Sequence, residues 1–159
     1  LQTIRIQQEM ILKEAETVAE VKKIIETDPV RKHIGAEWRL GNGARVFYFG
    51  DVDNVKAAIC MHTSRIVPDS EEELLSEYST GGANRGGTKA IFYTVWSYRK
   101  GSGRKIINDI TNIIKEKHPN IDRFVTMSPK TEMAKNFHTN NGAILIAENT
   151  DSYNFEYKF

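Results

Sequence analysis

The chain predicts an α/β fold, with a mixed central sheet of about six to seven strands and helices on both faces, from three observations. Ala90-Ile91-Phe92-Tyr93-Thr94-Val95-Trp96 is a nearly continuous β-branched and aromatic run, the pattern of a strand buried on both sides. A helix follows, with Ile106, Ile107, Ile110, Ile113 and Ile114 on one face and Asn108, Asp109, Asn112 and Lys115 on the other. Strands and helices then alternate through the second half of the chain.

Along the chain, Val18, Val21, Ile24 and Ile25 give a helix over Ala15 to Thr27, stopped by Asp28-Pro29. Val30 to Ile34 reads as a short second helix. Trp38 and Leu40, Gly41-Asn42-Gly43 and Ala44 to Phe49 read either as a hairpin or as an irregular segment leading into a strand. Gly50 to Asn54 is turn chemistry and Val55 to Val67 the next strand. Asp69 to Tyr78 is a surface helix with Leu74 and Leu75 as apolar contacts, and Asp69 and Glu71 to Glu73 read as its solvated face. Thr80 to Gly87 is the most glycine-dense stretch, either a mobile substrate loop or a plain connector. After the isoleucine helix, His118-Pro119-Asn120 breaks the chain and Ile121 to Met127 returns as a strand. A helix starts near Pro129 and fills Thr131 to Asn140, and Asn141-Gly142 caps it. Ala143 to Ala147 and Tyr153 to Phe159 are the last two strands.

Composition narrows the function. With 159 residues the chain reads as one domain over 1–159, large enough to bury a core without staples or metal. Its 22 Lys+Arg against 21 Asp+Glu give no global attraction to nucleic acid or an anionic membrane, so any anion site is local. The single cysteine, Cys60, lies in an apolar run and reads as a buried structural thiol, with no disulfide or metal cluster. No stretch reaches the length of a membrane span and Leu1–Glu16 is too charged for a secretory signal, which points to a cytoplasmic protein. The chain opens on Leu1, which leaves a short omitted segment and a processed start equally open.

Between the buried strand and its helix runs Trp96-Ser97-Tyr98-Arg99-Lys100-Gly101-Ser102-Gly103-Arg104. A glycine turn at the positive end of a helix dipole presents unpaired N–H groups, which hold a pyrophosphate without dedicated side chains. Arg99, Lys100, Arg104 and Lys105 add local positive charge of the kind a nucleotide with three phosphates draws. A tight turn packing helix on sheet, flanked by ordinary surface cations, is the alternative reading.

From Thr88 to Tyr157, about half the chain, these residues resemble the GNAT superfamily of acyl-CoA-dependent N-acyltransferases. Gly101-Ser102-Gly103 matches the end of that family's Arg/Gln-x-x-Gly-x-Gly/Ala turn, with Arg99 two residues before Gly101 and Tyr98 in the family's Arg/Gln register. Ala134 to Ala143 resembles its Ala-x-x-Leu-Tyr-x-x-x-Gly-Phe stretch, with His138 at the tyrosine that protonates the departing thiolate in many members. The resemblance implies a single GNAT-like domain whose strands Ala90 to Ser97 and Ile121 to Ser128 begin paired and splay around the pantetheine. It implies acetyl-CoA or another acyl-CoA as co-substrate, held by Tyr98 to Lys105 with Ser128, Thr131 and Phe137. It further implies an N–H near Trp96 or Ser97 as oxyanion donor, His138 as acid, no metal, and a small-molecule or peptide amine as acceptor, with a homodimer left open. His62, Glu73 and Glu77 are candidate bases, and Trp38, Tyr78 and Gly81–Gly87 candidate lining of the acceptor pocket.

Phe92-Tyr93, Gly101, Phe124 to Pro129, Phe137-His138 and Asn141-Gly142-Ala143 are also similar to the GNAT-fold domain of malonyl-CoA decarboxylases. His138 matches that family's histidine, whereas its serine positions are Thr94 and Trp96 here. A decarboxylase and a non-catalytic acyl-CoA-binding module are therefore the alternatives to an N-acetyltransferase, and stand-alone nucleic-acid binding is the least favoured role.

Overall fold

Eight strands in one mixed sheet, covered on both faces by helices, make up the structure, a computed structural model that describes residues 3–4, 10–41, 43–79 and 86–159, and of residues 77–79 the backbone alone. The expectations placed on Glu77, Tyr78 and the loop over 80–85 lie outside the described side chains and residues.

The first part of the sheet is an antiparallel meander. β1 (Lys13–Glu14) pairs with β2 (Ala44–Asp51), β2 with β3 (Asn54–Ser64) and β3 with β4 (Lys89–Ser97). β4 then pairs in parallel with β5 (Arg123–Thr126), across α3 (Ser102–Lys117), so the isoleucine helix is the crossover of a strand–helix–strand unit. β5 and the two-residue β6 (Ser128–Pro129) follow the same edge of β8 (Ser152–Tyr157), while β7 (Ile144–Glu148) takes its other edge.

Each face of the sheet has its own core. On one, Val46, Tyr48, Ala58, Cys60, Ile91 and Tyr93 pack against Val21, Ile24 and Ile25 of α1 (Val18–Ile25) and Leu74 of α2 (Glu71–Ser79). On the other, Phe47, Phe49, Ile59, Phe92 and Phe155 pack against Ile106, Ile107, Ile110 and Ile114 of α3, with α4 (Glu132–Asn140) at the edge. The 3.6-residue spacing of the four isoleucines brings all of them onto the sheet, and truncating any one to Ala would cost about 2 to 5 kcal/mol.

Three readings of the sequence change, and one open alternative is decided. Val30 to Ile34 is not a helix, because Asp28 Oδ1 accepts the N–H groups of Val30 and Arg31 at 2.8 and 3.0 Å and turns the chain. Trp38–Leu40 is a single 3-10 turn, so this segment leads irregularly into β2 and is not a hairpin. β3 ends at Ser64, whose Oγ accepts the Ile66 N–H and starts a turn. Pro129 belongs to β6, and the α4 cap is Thr131, which accepts from the Ala134 N–H at 3.2 Å. β1 and β6 were not foreseen, since two residues are too few to show a period.

Candidate functional site

The site is built where β4 leaves the sheet. Its register with β3 slips by one residue between Met61↔Phe92 and Cys60↔Thr94, leaving Tyr93 as a bulge. On the other edge the parallel pairing with β5 stops at Phe92, whose carbonyl accepts the Met127 N–H at 3.1 Å. Beyond that point the chain after Met127 follows β8, whereas β4 runs on to Ser97. The two strands therefore diverge.

This divergence exposes backbone. The Tyr98 N–H donates to the Lys56 carbonyl at 2.8 Å, so Lys56 faces Tyr98 as a hydrogen-bonded pair, and Ala58–Trp96 and Cys60–Thr94 are the next ones along. Val95 and Ser97 alternate with these residues and turn their N–H and C=O groups into the gap. The Trp96 N–H, by the same alternation, faces β3, and its indole donates to Thr27 Oγ1 at 2.9 Å. Of the two sequence candidates for an oxyanion donor, only Ser97 aims its backbone at the opening.

At the end of β4, Gly101 takes φ +80°, a left-handed conformation that Gly adopts without strain, and the helical ladder starts with the Lys105 N–H on the Gly101 carbonyl at 3.1 Å. The Ser102 N–H and Oγ both donate to the Arg99 carbonyl, at 3.0 and 2.6 Å, so Ser102 stitches the turn from inside. The Gly103 and Arg104 N–H groups precede the ladder at the positive end of a 16-residue helix. They open onto a pocket of about 500 Å³ that Ser97, Tyr98, Arg99, Lys100, Gly101 and Phe137 also line.

Not every expected residue meets this pocket. Lys105 pairs with Asp109 at 2.6 Å and lies over the Phe49 ring, the ordinary fate of a helix-surface lysine. Ser128 is buried with its hydroxyl on Thr126 Oγ1 at 2.8 Å, and Thr131 is spent on the α4 cap. One unforeseen residue does line it: Asn141, whose half-buried side chain lies within hydrogen-bonding reach of the Tyr157 hydroxyl. The sequence marked Asn141 as a helix cap, which it also is.

His138 is 5% exposed and stacks on Phe155, with Nδ1 2.7 Å from the Tyr157 hydroxyl. Burial lowers its pKa to about 4, so at neutral pH the ring is uncharged and stores no imidazolium proton. Burial also raises the Tyr157 hydroxyl, which stays protonated. Of the candidate bases, His62 is fully buried against Trp38, which itself packs edge-on to Tyr93, and Glu73 accepts the Asp69 N–H at 3.0 Å.

On the opposite side of the diverging strands lies a larger pocket, about 650 Å³, lined by Met127, Arg31, the start of α2 and the β7–β8 turn. Asp69, Glu71, Glu72, Glu148 and Asp151 make it acidic. Glu71 pairs with Arg31 and His33, and Glu148 with Lys130, whereas no ion pair is seen for Asp69, Glu72 or Asp151 among the described residues. The acidic run over 69–73 is thus partly a pocket wall and not only a solvated face.

Among the described residues, no cluster of His, Cys, Asp and Glu has the arrangement of a metal site, and no helix is long and apolar enough to cross a membrane. Cys60 is fully buried, receives a hydrogen bond from Arg39 at 3.3 Å, and has its thiol pKa raised by burial.

Solved structures share this architecture. A Bacillus subtilis acetyltransferase in complex with CoA matches with TM-score 0.60 and 10% identity over 93% of this chain and 97% of that one. The PaiA N-acetyltransferase of Thermoplasma acidophilum, in complex with coenzyme A, matches with TM-score 0.61 and 11% identity over 94% and 99%. The fold is that of the GNAT acetyltransferases. Malonyl-CoA decarboxylase from Agrobacterium vitis, which contains a similar domain, matches with TM-score 0.63 and 23% identity over 75% of this chain. The chain covers only 33% of that decarboxylase. No family model matches the sequence, and no curated protein does. At these identities the likeness establishes the GNAT fold alone.

Proposed function

We propose that this GNAT-fold chain is an acyl-CoA-dependent N-acyltransferase, with acetyl-CoA as donor and a cationic amine as acceptor. The observation that carries the reading is the open β4 backbone at Val95 and Ser97 leading directly to the N–H groups of Gly103 and Arg104. The diphosphate of CoA sits on those N–H groups with Arg99, Lys100 and Arg104 around it, and the Asn141 amide lies beside it. The pantetheine amides pair with the exposed strand groups, and the thioester carbonyl takes the Ser97 N–H. Such a donor is worth about 3 kcal/mol of barrier when the carbonyl oxygen becomes an oxyanion.

The amine enters from the acidic pocket across the gap. Carboxylates there draw the cationic amine, which loses a proton to water before its lone pair attacks the thioester carbon. The carbon–sulfur bond breaks and CoA leaves as thiolate; the second proton, shed by the attacking nitrogen as the amide forms, reaches the sulfur through water, because neutral His138 has no spare proton to give. His138 and Tyr157 then serve to fix α4, and with it Phe137, over the turn.

A decarboxylase reading has one observation in its favour: Thr94, at a serine position of the malonyl-CoA decarboxylases, has a buried hydroxyl without a hydrogen-bond partner among the described residues. Incubation with acetyl-CoA and a panel of neutral, singly charged and doubly charged amines, followed by thiol release, tests the main reading. Thiol release that grows with amine charge supports it. Conversion of malonyl-CoA to acetyl-CoA without any amine replaces it with the decarboxylase, and binding without turnover in either assay replaces it with a binding module.

A further inference from the structure

Arg31 lies in the turn after α1, far from the CoA turn in sequence, yet it is 6% exposed and its guanidinium reaches the bulge of β4. One terminal nitrogen donates to the Tyr93 carbonyl, the group that the bulge releases from the β3 ladder. Its Nε donates to Glu71 Oε1 at 3.2 Å, at the start of α2. The Arg31 backbone is held as firmly as its side chain. Asp28 Oδ1 accepts the Arg31 N–H at 3.0 Å, Arg39 donates to the Arg31 carbonyl, and Arg39 pairs through Asp28 Oδ2 at 3.0 Å. Desolvating the guanidinium is costly, and Glu71 and the Tyr93 carbonyl are the groups that compensate it, so the arginine ties the bulge of β4 to the start of α2.

We infer that Arg31 is a positioning residue: by holding the Tyr93 carbonyl out of the ladder it fixes the β4 bulge, and so aims the Val95 and Ser97 N–H groups into the gap. The inference rests on the acyl-transfer reading for what those N–H groups do, but the latch itself is a property of the strand. Lysine carries its three donors on one nitrogen, whereas Arg31 uses Nε for Glu71 and a terminal nitrogen for Tyr93, so Arg31→Lys replaces the two-nitrogen span only in part. A misplacement of about 1 Å in such a donor costs on the order of 10²-fold in rate.

The test compares wild type, Arg31→Met and Arg31→Lys by amide NMR titration with acetyl-CoA and with CoA, alongside kcat and KM for acetyl-CoA. In wild type, the Gly103 and Arg104 amides respond to both ligands and the Ser97 amide responds to acetyl-CoA alone. In Arg31→Met, the Gly103 and Arg104 responses and KM persist, while the Ser97 response disappears and kcat falls about 10²-fold; Arg31→Lys restores part of both. An unchanged Ser97 response and kcat in Arg31→Met overturns the latch while leaving the acyl-CoA reading intact. If Arg31→Met does not fold, Arg31→Gln, too short to reach the Tyr93 carbonyl, decides by the same Ser97 response, and a wild-type response there overturns the latch. If wild type itself shows no response at Gly103, Arg104 or Ser97, the acyl-CoA reading fails and the inference with it. If wild type binds but transfers nothing, the Ser97 amide alone decides.

Discussion

Phe137 lies on Gly103 with no space for a side chain between them: a Cβ on Gly103 would stand 2.9 Å from two carbons of the Phe137 ring and 3.3 Å from Ser97 Oγ. α3, α4 and the end of β4 meet at this point, beside the pocket at the Gly101 to Arg104 turn. Gly103→Ala should push the Phe137 ring aside and lower CoA affinity about tenfold, or about 1.4 kcal/mol. Stability should change little, because Ala gains helix propensity of about 1 kcal/mol over Gly. Calorimetric titration with CoA and a thermal melt separate the two effects; unchanged affinity would show that Phe137 does not border the ligand.

The cations of the turn divide by their partners. Arg104 lines the pocket, whereas Lys105 is committed to Asp109 and Phe49. Arg104→Ala is expected to weaken CoA binding by about 1 to 2 kcal/mol, an effect that shrinks with added salt. Lys105→Ala should leave the affinity where it was. Equal losses in the two variants would mean that CoA does not distinguish the two sides of the helix.

His138 sets an acid limit on stability. Its pKa is lowered from 6.5 to about 4 by burial, so between those values the unfolded chain binds the proton more readily than the folded one. Stability from this group is complete above pH 6.5 and declines as pH falls toward about 4, by at most ~3 kcal/mol. Urea unfolding of wild type and His138→Asn at pH 7 and pH 4.5 should show a smaller acid loss in the variant. Parallel losses would place the acid sensitivity elsewhere.

Asp28 and Arg39 form a fully buried ion pair, and Arg39 also donates to the Ile34 carbonyl at 2.9 Å. Removing one partner leaves a charge without compensation. Arg39→Met should cost about 3 to 5 kcal/mol in urea unfolding, a large part of the stability of a domain this size. A cost below about 1 kcal/mol would mean that the segment from Asp28 to Leu40 contributes little to the fold.

The sequence shows the strand–turn–helix unit because every signal for it is local. The β-branched run, the glycines and the isoleucine period lie within about thirty residues of one another and say the same thing. It cannot show Arg31 or Arg39, because their partners Tyr93, Glu71 and Cys60 lie 21 to 62 residues away, and a lone arginine reads as a surface residue. Lys105 differs in the opposite sense: its position beside the glycine turn suggests phosphate, and only the helix phase shows it against Asp109 and Phe49. Trp96 and Ser97 were equivalent until the register assigned one backbone to β3 and the other to the gap. The acidic pocket joins Asp69 to Glu72 with Glu148 and Asp151 from the far end of the chain, a juxtaposition that no spacing announces.

Neutralising charge in the acidic pocket tests whether it takes the acceptor. Glu72→Gln with Asp151→Asn removes two carboxylates for which no ion pair is seen among the described residues, and should raise KM for a doubly charged amine several-fold while KM for acetyl-CoA stays constant. Steady-state kinetics with each substrate varied in turn measures this. A rise in KM for acetyl-CoA instead would put the donor, not the acceptor, in the acidic pocket.

The central claim, that the turn at Gly101 to Arg104 and the open edge of β4 together hold an acyl-CoA, is tested most directly by a crystal structure with acetyl-CoA bound. The diphosphate is expected on the Gly103 and Arg104 N–H groups, and the pantetheine between β4 and the chain after Met127. Density for the cofactor elsewhere on the molecule, or a β4 whose Val95 and Ser97 are paired along their length with a neighbouring strand, would contradict it.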